Sequence, residues 1–115
     1  MREIKFRAWD KINKMWLNRF NVNLLDIEDL SIVEIMQYTG LKDIAGDEIF
    51  EGDIVKDVSD GIIGHIEYSD GGFVIIYDDI AEKLNADESA YLEVVGNILE
   101  NPDYLGRREY GERAL

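Results

Sequence analysis

Few residues in this 115-residue chain could do chemistry. His65 is the single histidine, and an imidazole that titrates near neutral pH is a common general acid or base. It would need a nucleophile to serve. Ser31, Ser59, Ser69, Ser89 and Thr39 supply hydroxyls, but none stands in a nucleophile-elbow context. Strand alternation sets His65 beside Ile63 and Glu67, which reads as a surface or half-buried strand residue. Asp78, Asp79 and Glu82 could gather at the start of a helix. Several carboxylates there would suit a hard divalent cation, while the plainer reading is acids set against a helix N-terminus. Their spacing is not that of an EF-hand. The chain has no cysteine, which excludes thiol nucleophiles and thiolate metal sites. No glycine-rich run ends in Gly-Lys-Ser/Thr, and Asp70-Gly71-Gly72 carries the wrong charge for a phosphate cradle. The expectation is no catalytic residue, no metal and no cofactor.

A second group mixes aromatic and basic character: Arg7, Trp9, Trp16 and Arg19, with Phe6 and Phe20 nearby. Such a surface could stack bases and contact phosphates. The charge balance opposes this. Residues 1–20 hold six basic residues against two acids, but residues 21–104 hold three lysines against 21 acids, and the net charge is −13. An anionic body repels nucleic acid and anionic membranes, so direct nucleic-acid binding is disfavoured. The aromatics are expected to fill the core while the basic residues coat a hairpin. A basic arm beside an acidic trunk suits contact with a protein, including a second copy of the chain. On that reading Arg7, Trp9, Trp16 and Arg19 are the interaction residues.

These residues need a scaffold. The length is that of one domain, 1–115, and 46% hydrophobic residues suffice for a core. No apolar stretch is long enough to span a membrane, and the N-terminus lacks a signal-peptide pattern. The reading is a cytoplasmic protein of a bacterial host. Ile4, Phe6 and Ala8 alternate with polar residues as a first strand, with those three on the apolar face. A second strand from Met15 to Val22 completes a basic hairpin over 1–22. Residues 24–30 read as a loop or one helical turn. Ser31 to Tyr38 is a strand that Thr39-Gly40-Leu41 breaks. Residues 54–58, 62–68 and 73–77 are further strands, the last apolar throughout and expected to be covered on both faces. Ser69-Asp70-Gly71-Gly72 is a strong hairpin signal. A short helix is expected around Ile80 to Leu84, a last strand at 91–98, and a helical turn after Asn101-Pro102. The whole predicts a mainly β fold: a small antiparallel β-barrel or packed-sheet domain. It has an SH3-like meander at about 52–98, an acidic body over 31–98 and a mobile tail over 106–115.

Three stretches together resemble the YopX family of phage and prophage proteins. They are Arg2-Glu3-Ile4-Lys5-Phe6-Arg7-Ala8-Trp9-Asp10, then Met36 to Asp43 continuing through Gly46 to Ile49-Phe50-Glu51-Gly52-Asp53-Ile54-Val55, and then Val94 to Pro102. The resemblance implies a phage-encoded or prophage-encoded cytoplasmic protein of unassigned biochemical role, and it brings no catalytic residues. A non-enzymatic protein-interaction module, self-associating or bound to a host protein, is the first reading of function. An acidic nucleic-acid mimic that occupies a host DNA-binding protein is the second. A metal-dependent enzyme using acid clusters is the third.

Overall fold

The computed structural model describes residues 4–17 and 30–106. Nine strands form two antiparallel sheets. The first carries β1 (Phe6–Asp10), β2 (Met15–Leu17), β3 (Val33–Lys42) and β4 (Glu48–Phe50), in the order β2-β1-β3-β4. The second carries β5 (Asp53–Asp57), β6 (Ile63–Ser69), β7 (Gly72–Tyr77), β8 (Ile80–Lys83) and β9 (Leu92–Asn97), in the order β8-β7-β6-β5-β9, and curves into a half-barrel. Two four-residue helices follow β8 and β9: α1 (Ala86–Ser89) and α2 (Asp103–Gly106). The expected mainly β, packed-sheet class is the observed one.

Alternation builds the core of the second sheet. Val55, Ile66, Phe73, Ile75 and Leu92 point to one face, where Ile49 of β4 joins them, and Tyr77, Leu84 and Val94 pack around the edge. Turn chemistry sets the registers. Asp70 and Gly71 take φ of 53° and 82° between Ser69 and Gly72, the left-handed pair that matches the twist of a two-residue hairpin. At the other hairpin the Asp10 carboxylate accepts the Ile12 and Asn13 N–H groups and the Asn13 side-chain amide. That fixes the β1–β2 turn, and Lys14 closes it at φ 55°.

Several expectations change. Of Ile4, Phe6 and Ala8 only Ala8 is buried: Ile4 and Phe6 are exposed, and Arg7 and Trp9 turn inward. The reason is an ion pair described below, which outweighs hydrophobic alternation. β3 continues through Gly40, which at φ 88° sits within a register shift between Tyr38 and Lys42 rather than ending the strand. A glycine in the left-handed region makes a bulge there and lets pairing resume. Residues 80–83 form an edge strand rather than a helix, because Asp78 at φ 53° folds the chain straight back onto β7. β7 is not sealed on both faces. Phe73 and Ile75 are buried, while Val74 and Ile76 are only half-buried. Leu30 opens a 3-10 turn that ends at Ile32. Most of the 21–35 segment, the second half of the hairpin and the tail from 107 onward lie outside the described residues.

Gly52, between β4 and β5, adopts φ of 87°, and a β-carbon there would stand 2.6 Å from Met36 Cε. Gly71 has a similar φ with open space around it. Gly71→Ala is expected to cost about 1 kcal/mol and Gly52→Ala about 2–3 kcal/mol, since left-handed strain alone costs about 1–3. Urea unfolding of the two variants measures the difference, which reports the contact with Met36.

Candidate functional site

The sheets are joined by a buried ion pair. Arg7 on β1 donates from Nη2 to Asp53 Oδ1 at 2.6 Å, and the other oxygen of Asp53 accepts the Phe50 N–H at 2.7 Å. Asp53 is 1% exposed. The Arg7 guanidinium lies between two rings, 4.5 Å from the Trp16 centroid and 4.6 Å from that of Phe50. Planar stacking of this kind suits arginine and not lysine. Trp9 meets Trp16 edge-on, with centroids 4.9 Å apart. Arg7, Trp9 and Trp16 are therefore brought together, with the cation directed inward to Asp53. Trp9 is buried, and one face of Trp16 is covered by Arg7. Arg19 lies outside the described residues.

Three more polar side chains extend this network. The Trp16 indole donates to Glu100 Oε1 at 3.1 Å, and Asn97 Nδ2 donates to the same oxygen. Asn97 Oδ1 accepts the Leu99 and Glu100 N–H groups. Gly96 is needed beside it, because a β-carbon there would meet Asn101 Oδ1 at 2.5 Å. Asp43 is buried. Its Oδ1 accepts the Ala45 and Asp47 N–H groups, and its Oδ2 accepts the Val94 N–H of β9. The three distinctive stretches of the sequence thus meet in space, each satisfying backbone groups of another or of its own turn.

A groove of about 420 Å³ opens beside this junction. Glu34 and Met36 of β3, the Glu51-Gly52 turn, Glu67 and Tyr68 of β6, and Ile98 and Pro102 border it. Its lining carries three carboxylates and no lysine or arginine. His65 also lines it. This residue is 7% exposed, more buried than expected, and its Nε2 pairs with Glu67 Oε2 at 2.6 Å. Its Nδ1 finds no partner among the described residues. Glu67 is on the same face, as alternation implies, and among the described residues no serine or threonine lines the groove with the pair. Asp78, Asp79 and Glu82 do not start a helix; they occupy the β7–β8 turn and β8. Among the described residues no three histidine, aspartate or glutamate side chains converge as metal ligands. A smaller pocket of about 210 Å³ sets Asp57, Asp60, Glu82 and Glu88 around Tyr77. Burial, and then the neighbouring Glu88, push the Tyr77 hydroxyl up to about 12.

Sequence reasoning passed over Asp53 and the groove. A signal for Asp53 exists: it directly precedes the apolar pair Ile54-Val55, at the start of a central strand. The groove joins residues more than 60 positions apart, and no local pattern marks it.

Two antiparallel β-sheets, joined by the Arg7–Asp53 ion pair and bordered by an acidic groove, define a small mainly β domain. A family model described as YopX protein matches residues 21–106, and the chain belongs to that family. The crystal structure of protein EF1440 from Enterococcus faecalis is similar at a TM-score of 0.71 and 26% identity. The match covers 91% of this chain and 99% of that one. No curated protein matches the chain. No described helix is long and apolar enough to cross a membrane.

Removing Arg7 strands a buried carboxylate, so Arg7→Ala is expected to destabilise the fold by about 3–5 kcal/mol in urea unfolding. Burial holds Asp53 above the usual aspartate value of 3.8, against the downward pull of Arg7 and the Phe50 N–H. Hydrogen bonds led by the Asn13 N–H hold Asp10 below it. The contribution of Asp53 is therefore full below the unfolded-state value and is lost as pH rises through its raised one. That of Asp10 is present above the unfolded-state value and is lost as pH falls through its lowered one. Carboxyl NMR titrations should place Asp53 above 3.8 and Asp10 below it, with Asp53 moving further up in Arg7→Ala.

Proposed function

We propose that this chain is a non-enzymatic protein-interaction module of phage or prophage origin, acting in the bacterial cytoplasm through the groove between its sheets. The observation that carries the reading is the groove's composition. Glu34, Glu51 and Glu67 line it together with Met36, Ile98, Pro102 and the exposed ring of Tyr68. Carboxylates beside apolar side chains match a protein segment that alternates basic and aliphatic side chains. The aliphatic groups gain by leaving water, and the charges set orientation and encounter rate. The walls are rigid where it matters. Met36 is 2% exposed and packs on Gly52, whose N–H donates to the Ile66 carbonyl. A preformed wall lowers the ordering cost of binding.

The test uses a short amphipathic peptide bearing lysine and isoleucine, followed by amide NMR. Shifts are expected at Met36, Gly52, Ile66 and Ile98. Glu34→Lys with Glu67→Lys should weaken binding by at least about tenfold, which is about 1.4 kcal/mol. Shifts scattered over the acidic surface, unaffected by these substitutions, would sink the groove as the contact site.

A further inference from the structure

We infer that the groove takes the β1–β2 hairpin tip of a second copy, in a reciprocal pair of chains. This rests on the reading of the groove as a protein-docking surface and names its occupant. The tip has the chemistry the groove lacks. Lys11 and Lys14 are exposed and make no ion pair among the described residues. Between and beside them Ile12 is 68% exposed and Met15 is 45% exposed. Basic and aliphatic side chains thus share one small, solvent-facing knob, and neither lysine is ion-paired among the described residues.

The knob is built rigidly. The Asp10 carboxylate ties the Ile12 and Asn13 backbones, and the Lys14 N–H donates to the Asp10 carbonyl. The Lys11 N–H is fixed to the Ile32 carbonyl. A tip held this way cannot bend round into its own groove, so the matching groove belongs to another molecule. Little conformational freedom remains to be lost when it docks.

The positions of knob and groove set the symmetry. A shallow cleft lined by Trp9, Lys11, Lys14 and Glu100 meets the groove at Pro102, which borders both. Glu34 stands directly across the β1–β3 ladder from Trp9, two residues before Lys11. Donor and acceptor surfaces are therefore neighbours on one face. Two complementary patches side by side satisfy each other across a two-fold axis, whereas patches on opposite faces would build rings or filaments. Lys11 and Lys14 of each chain then face Glu34 and Glu67 of its mate, and Ile12 reaches the apolar side chains of the groove.

Sedimentation of the full chain tests this. A dimer is expected at about 0.02 M salt and a shift toward monomer at about 0.5 M, where exposed charges are screened within a few ångströms. Lys11→Glu with Lys14→Glu should be monomeric, as should Glu34→Lys with Glu67→Lys. An equimolar mixture of these two variants should recover the dimer, because one contact is then restored with exchanged signs and the other is the wild-type one. The milder Lys11→Gln with Lys14→Gln changes only exposed tip residues and should weaken association at least tenfold with an unchanged circular dichroism spectrum. A wild-type chain that stays monomeric at low salt, or a dimer that neither reversal weakens, overturns the proposal. A monomer that still binds the lysine–isoleucine peptide in its groove overturns only the choice of occupant. A monomer that binds no such peptide removes the docking surface as well.

Discussion

Everything in this fold depends on one ion pair whose carboxylate is held away from water. Arg7 and Asp53 come from different sheets, and each is separated in sequence from its partner by more than forty residues. Taking both ions out of solvent is costly, and their attraction offsets that cost only when the remaining polar groups find partners. Asp53 meets this condition, with one oxygen on Arg7 and the other on the Phe50 N–H. Arg7 meets it partly, with aromatic rings on both sides in place of further acceptors. A buried ionic contact of this sort adds little net stability but tolerates only one geometry. It sets which face of β1 turns inward and how the two sheets are aligned.

The same logic recurs at Asp43 and Asn97. Each is a buried or nearly buried polar side chain whose atoms accept backbone N–H groups of a turn. Asp43 also crosses to β9 through the Val94 N–H. Such side chains replace the ladder hydrogen bonds that an irregular turn cannot make. The distinctive residues of the YopX-like stretches are thereby accounted for as architecture, and Arg7 and Trp9, which precede the matched span, dock onto that architecture.

The sheet class, the Ser69–Gly72 hairpin and the strand pair around it are legible in the sequence, because each is a local pattern. Period two gives β6 its correct partition, with His65 and Glu67 on one face and Ile66 on the other. The misreadings have a common cause. Apolar patterning points Phe6 inward, but the inward face of β1 is chosen by a distant aspartate. Gly40 resembled a strand end because a bulge and a break share the same residue. Residues 80–84 resembled a helix because an edge strand with both faces exposed carries no hydrophobic alternation to betray it. The depth of His65 and the groove itself depend on how the sheets meet, which no short window contains.

The two margins of the five-stranded sheet are finished differently. At β9 the Asp43 carboxylate occupies the Val94 N–H and the Ile44 N–H occupies the Leu92 carbonyl, so that margin is already spoken for. At β8 the strand is only four residues long and carries Glu82 and Lys83 in full view of solvent, features that discourage foreign strands from adding on. Both margins of this sheet therefore offer an incoming strand few free backbone groups to pair with.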